Sequence, residues 1–139
     1  MRLAALALPI LAAACGGGAD EATDRQAVEL GCQQRLVAAL QGQVPRRGIS
    51  PMFEGARARF AALSPEGCSE HQRTTAASMA RLTGRIAEIS GRLGDNPMER
   101  RLSPEENMQF GELQASVEQF EARRRRLIED LREMEAREH

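Results

Sequence analysis

Apolar residues recur at steps of three and four along most of the chain, the spacing of helices that bury one face. The clearest stretch runs from Pro65 to Gly94. Thr75, Met79, Leu82, Ile86, Ile89 and Leu93 form a seam with coiled-coil spacing. A second stripe holds only small residues: Ala77, Ala80, Gly84, Ala87, Gly91 and Gly94. Arg81, Arg85, Glu88 and Arg92 fall on the third side. A helix patterned this way touches two neighbours and meets water once. Gly84 and Gly91 each cost about 1 kcal/mol relative to Ala inside a helix. Close backbone packing would offset that cost; drift at tolerant positions is the other explanation.

The remaining elements follow from the same periodicity and from capping chemistry. Thr23 with Gln26 offers a capping box, and Val28, Cys32, Leu36, Ala39 and Leu40 share a face, so a helix is predicted over Asp24 to Gln41. Gly42 to Ile49, with two Gly, one Pro and the Arg46, Arg47 pair, reads as a loop. Ser50 and Pro51 make a cap and first-turn pair, and Phe53, Ala56, Phe60 and Leu63 carry a second helix to Leu63. Ser64 and Pro65 repeat the device and open the third. Asp95, Asn96 and Pro97 break the pattern. Ser103 and Glu106 then form a capping box for a fourth helix over about 104–137, with Phe110, Leu113, Val117, Phe120, Leu127, Leu131 and Met134 on one face and Arg124 in one seam slot.

Two long helices joined by a short break lie antiparallel. Their seams agree in register: Leu93 pairs with Phe110, Ile89 with Leu113, Ile86 with Val117, Leu82 with Phe120, Thr75 with Leu127 and Cys68 with Met134, each pair of numbers adding to 202 or 203. The expected fold is all-α. An antiparallel coiled-coil-like hairpin, about 65–94 and 104–137, is on the order of 45 Å long. Two shorter N-terminal helices pack at its Cys68 end, and the tip near Ile86 and Phe120 protrudes. These two helices are the available neighbours of the small stripe; if they fall short of Gly91 and Gly94, the stripe, with Gly84 on it, would be open near the tip to a partner or a second copy.

The first residues have a different character. Arg2 supplies a positive end, and Leu3 to Leu11 an apolar run too short to span a bilayer. Ala12, Ala13 and Ala14 precede Cys15, and three glycines follow it. This stretch resembles the signal and lipobox of bacterial lipoproteins. The resemblance implies a signal peptide over 1–14, lipidation of Cys15, a flexible tether over 15–22 and a helical domain over 23–139. Gly16, where an inner-membrane retention signal has Asp, implies the outer membrane, facing the periplasm. Ala12 departs from the Leu that the family prefers there. Ordinary cleavage near Ala14, with Cys15 unmodified, is the alternative. The resemblance ends at Gly18 and carries no activity with it.

With Cys15 lipidated, Cys32 and Cys68 remain. In an exported chain this even pair suggests a disulfide; two buried thiols are the other reading. A bridge across 36 positions would remove about 4 kcal/mol of unfolded-chain entropy on the loop-closure account. The two histidines, His71 and His139, have no metal-ligand spacing with them, and no cofactor is expected.

Composition narrows the function classes. The 139 residues carry 19 basic and 20 acidic side chains, a net charge of −1, which gives no pull toward nucleic acid. Every basic residue is Arg; without Lys there is no Schiff base and no Walker-type phosphate loop. Trp and Tyr are also absent, which disfavours stacking platforms for bases or sugars. No catalytic grouping emerges: His71 stands beside Ser69 and Glu70, but such neighbours do not face one another on a helix. The run Arg123 to Arg126 has two readings. It is an anion grip, with Arg123, Arg125 and Arg126 facing lipid phosphates or an acidic partner, or a solvated face paired internally with Glu121, Glu129 and Asp130. Arg124 falls opposite Met79 in the seam.

Leu63-Ser64-Pro65-Glu66 recurs as Leu102-Ser103-Pro104-Glu105. Two capped helix starts in an exported helical chain are similar to the paired Leu-Thr-x-x-Gln motifs of the Spy family of periplasmic stress chaperones, and that resemblance implies an exposed apolar cradle for clients. Ser64 and Ser103 replace Thr, and Gly67 and Glu106 replace Gln; capping chemistry alone accounts for the repeat. The expectation is a non-enzymatic, lipid-anchored structural or adaptor protein of the envelope. Its partners would be the membrane and a protein or a second copy, with no nucleic acid and no small-molecule substrate. A chaperone is the alternative.

Overall fold

The computed structural model describes the backbone of residues 4–40, 49–94 and 96–138, and the side chains of 21–40, 50–94 and 96–138. Four α-helices and one 3-10 turn make up the order: α1 (Ala4–Leu40), α2 (Ile49–Ala61), α3 (Glu70–Leu93), the turn Pro97–Glu99, and α4 (Pro104–Glu138). The all-α fold and the long α3–α4 hairpin are as the periodicity predicts. Among the described residues no helix is long and apolar enough to cross a membrane.

Three boundaries differ from the sequence reading. The third helix starts at Glu70, not Pro65. Gly67 has φ +74°, off the helical path, and Ser64 and Pro65 belong to a turn in which the Cys68 N–H donates to the Pro65 carbonyl at 3.2 Å. The operative cap is Ser69. Its hydroxyl accepts from the Gln72 N–H at 3.1 Å, and Gln72 Oε1 accepts from the Ser69 N–H at 2.9 Å. A Cβ on Gly67 would also stand 2.6 Å from the Val28 methyl, so α1 and the turn approach where only glycine fits. The second difference is α2, which starts at Ile49 and ends at Ala61. Ser50 does not cap it but donates across to the Ala87 carbonyl at 2.9 Å. Third, α1 continues without a break through 16–22, the stretch read as a tether. The Ala- and Leu-rich leader before it is itself a strong helix former, and the helix it starts carries through the glycines.

Each helix runs antiparallel to its neighbour. α2 packs chiefly on α3 and α1 chiefly on α4. Ser50 at the head of α2 meets Ala87 late in α3, and Gln33 of α1 meets Leu127 late in α4. Up-down-up-down order follows, the usual solution for amphipathic helices joined by short loops. α1 fills the Cys68 end, α2 reaches toward the tip, and the two touch where Arg59 Nε donates to the Ala39 carbonyl at 2.9 Å. The tip therefore does not protrude from Ile86 onward: Ile86 is 0% exposed and Phe120 is buried. Phe53 of α2 reaches Phe120 of α4 edge-to-face, with ring centroids 5.1 Å apart.

The small stripe of α3 is what admits α2. A Cβ at Gly84 would stand 2.8 Å from Cδ of Arg57, and one at Gly91 would stand 3.4 Å from the Ser50 hydroxyl. Both glycines, a partner surface only if the N-terminal helices fell short of them, thus lie against α2 of the same chain. Gly94 sits at the α3 C-cap with φ +82° and contacts nothing on that side.

At the start of α4 the expected capping box is present: the Glu106 N–H donates to Ser103 Oγ and the Ser103 N–H to the Glu106 carboxylate, each at 3.1 Å. Arg100 adds an ion pair at 2.6 Å. The Arg100 hydrogen bond first, and the Ser103 backbone second, hold the Glu106 carboxyl down from 4.5 to about 2. A lowered carboxyl stabilises the fold above its unfolded value, and that contribution is lost as pH falls through the folded one. Thermal melts between pH 4.5 and about 2 are therefore expected to drop less steeply in Glu106→Gln than in the parent. Parallel curves would show that Glu106 contributes nothing to the acid limb.

Candidate functional site

A cleft of about 310 Å³ opens between α3 and α4 near the Cys68 end. Its position follows from the helix periodicity. Arg123, Arg126, Leu127 and Asp130 stand at i, i+3, i+4 and i+7 and form one side; Thr74, Thr75, Ser78 and Met79 of α3 face them. At this level the seam carries Thr75 on one helix and arginines on the other. Met79 and Leu127, both buried, close the inner side of the gap.

One end of the cleft is closed by a polar clamp joining three helices. Gln72 Nε2 donates to the Glu29 carbonyl at 2.8 Å and to Gln33 Oε1 at 3.2 Å. Gln33 Nε2 donates in turn to the Leu127 carbonyl at 3.0 Å. Both amides are buried. Among the described residues every buried side-chain nitrogen and oxygen has a partner, so the clamp is complete and stiff. Gln72, the partner of Ser69 in the α3 capping box, therefore also ties α3 to α1, and through Gln33 to α4.

The charges at the rim are unequally matched. Arg123 is half-buried and donates to the Ser78 hydroxyl across the hairpin. Arg126, its side chain 80% exposed, pairs at 3.7 Å with Asp130. Arg124 pairs with Glu121 at 3.7 Å and is exposed. Arg125 is exposed and does not line the cleft. His71 stands at the mouth. Of the arginine run, Arg123 and Arg126 are thus brought to one site and Arg125 is not. The seam slot expected for Arg124 belongs to Arg123: between the buried Phe120 and Leu127 the seam steps by three and then four, not by four and then three. The hydroxyl stripe of Thr74, Thr75 and Ser78 was legible in the sequence beside the seam, but nothing there marked it as the wall of a cleft.

Cys32 and Cys68 are joined, with an S–S distance of 2.01 Å and Cα atoms 5.3 Å apart. Cys32 is buried, and the bond ties α1 to the turn before α3. The Cys15 backbone lies within α1, and its side chain is outside the described part. Among the described residues no group of three or more His, Cys, Asp or Glu is placed to hold a metal ion.

The fold and the site together define a class: a disulfide-stapled, up-down-up-down helical bundle with a cation-rimmed cleft. Comparison with known proteins adds no relative, since no family profile, no curated protein and no solved structure matches the chain.

Proposed function

We propose that this protein is a non-enzymatic lipoprotein of the bacterial envelope, anchored through Cys15, facing the periplasm from the outer membrane and acting as a structural or adaptor subunit. The supporting observation is the Cys32–Cys68 bond. Such bonds persist in oxidising compartments, in keeping with the export signal read in Arg2 to Ala14. The anchor adds the membrane as one partner; a second protein, or a second copy, is the other. Nucleic acid has no place in this reading. Replacing Cys15 by Ala is expected to abolish incorporation of a palmitate analogue in cells. Undiminished labelling of the variant would remove the anchor.

A chaperone reading is favoured by one observation. Met98 and Met108, each 78% exposed, stand near the hairpin tip with the partly exposed Met52, beside a pocket of about 300 Å³ whose lining includes Met98, Phe110 and Leu113. Methionine suits surfaces that adapt to varied apolar partners. Suppression of a client's aggregation by the full chain decides between the two readings.

A further inference from the structure

We infer that the cleft between α3 and α4 binds a small amphipathic anion, its charged group at Arg123 and its apolar body against Met79 and Leu127.

Charge is the first ground. Arg123 is half-buried, and its partner is the neutral hydroxyl of Ser78. Arg85, Arg100 and Arg124 face carboxylates, and Arg35 and Arg59 donate to backbone carbonyls; Arg123 is held by a side-chain hydroxyl and lines the cleft. Among the described residues no carboxylate lies in ion-pair range of Arg123. A cation drawn out of water without an anion is costly, and a ligand carboxylate or phosphate would supply the missing charge-assisted hydrogen bonds. The nearest acid in the cleft, Asp130, is engaged by Arg126. Arg123 and Arg126 set two positive charges in the lining against the one negative charge of Asp130.

Shape and polarity are the second ground. The volume of about 310 Å³ lies at the small end of ligand pockets. The floor is apolar, the walls carry hydroxyls, and the guanidinium stands above. This arrangement suits a short apolar chain ending in one anionic group. It does not suit a nucleotide, for which there is no aromatic face, nor a bare inorganic anion, which would leave the floor unused. The clamp of Gln33 and Gln72 holds the cleft open in advance, so binding would not have to order it. The inference stands apart from the lipid anchor and survives its loss.

Two sources share this chemistry: a free medium-chain fatty acid, and the headgroup region of an anionic lipid. The test uses the full chain in phosphatidylcholine vesicles with a diazirine-bearing decanoic acid, photolysed, digested and mapped by mass spectrometry. Label is expected to concentrate on the peptides carrying Met79 and Leu127. It is expected to fall about tenfold in Arg123→Gln, the loss of one charged hydrogen bond. A neutral decanol probe should label the parent no better than decanoate labels that variant. Displacement by excess decanoate identifies the free acid as ligand; displacement by phosphatidylglycerol in the vesicles identifies the lipid. Equal labelling by the decanol probe, or label spread along all four helices, overturns the proposal. The decanol comparison uses the parent chain alone, so it decides even where the Arg123 variant folds poorly.

Discussion

Replacing both Cys32 and Cys68 with Ala is expected to destabilise the bundle by about 4 kcal/mol, the closure entropy of a loop this long. For a domain of this size that corresponds to a fall of about 15 °C in melting temperature. The position of the bond explains why the loss should be large and local. α1 is tied to α3 at few other points: Gln72 to the Glu29 carbonyl and the Gln33 side chain, and Arg35 to the Glu66 carbonyl at 2.7 Å. Cys32 is itself among the most deeply buried side chains. Without the bond, α1 keeps its packing on α4 but loses its tie to the turn that precedes α3. Amide exchange should therefore quicken first in α1, while α3 and α4 stay protected. Thermal melts of the parent with and without a reductant give a second reading without mutation. Coincident melts would show that the bond adds nothing to the folded state.

How far the sequence foretold this arrangement depends on what each pattern can specify. The α3–α4 hairpin was legible because two long seams and one short break leave a single way to bury both faces. The start of α3 was not. Ser64-Pro65 and Ser69-Gln72 are both valid helix starts, and the choice falls to Gly67, whose positive φ closes the first and leaves the second. The neighbours of α1 and α2 were legible only in part: the small stripe of α3 called for one of them, but nothing placed α1 chiefly on α4. An apolar stripe says that a helix is covered and not by what. Val28 lies on that stripe yet remains 52% exposed, because α1 runs past the end of α3 there. The small residues of α3 did announce a close approach, and Arg57 and Ser50 show it to be α2.

The cleft was legible only in part. Four consecutive arginines drew notice as a possible anion grip, but a run along a helix turns through every direction. Which one faces inward depends on whether the seam steps by three or by four after Phe120, and one residue separates Arg124 from Arg123. The Arg123–Ser78 contact and the Gln33–Gln72 clamp join residues 45 and 39 apart, juxtapositions that no local pattern encodes. The i, i+4 spacing predicts pairing of the Arg run with nearby acids, and Arg126 with Asp130 conforms to it. Arg125, expected between Glu121 and Glu129, yields Glu121 to Arg124.

Phe120→Ala is the substitution expected to cost most among single core changes, about 3–5 kcal/mol. The residue is buried at the level where α2, α3 and α4 meet, and its ring lies edge-on to Phe53 at an interplanar angle of 81°. Removing it leaves a space that helices held by their own backbone bonds cannot close. It also cuts the aromatic contact that links α2 to α4, since α2 otherwise packs on α3. The two effects separate in a double-mutant cycle. Phe53→Ala should be costly alone, and the double variant should cost less than the two singles together by about 0.5–1.5 kcal/mol, the worth of the ring pair. Urea unfolding followed by circular dichroism measures all three variants. Met98→Ala, at an exposed site on the same end of the bundle, should stay within about 0.5 kcal/mol of the parent. A loss below about 1 kcal/mol for Phe120→Ala would place it in the range of ordinary substitutions. The tip half of the bundle would then be held by α2 on α3 alone, with α4 only lying alongside.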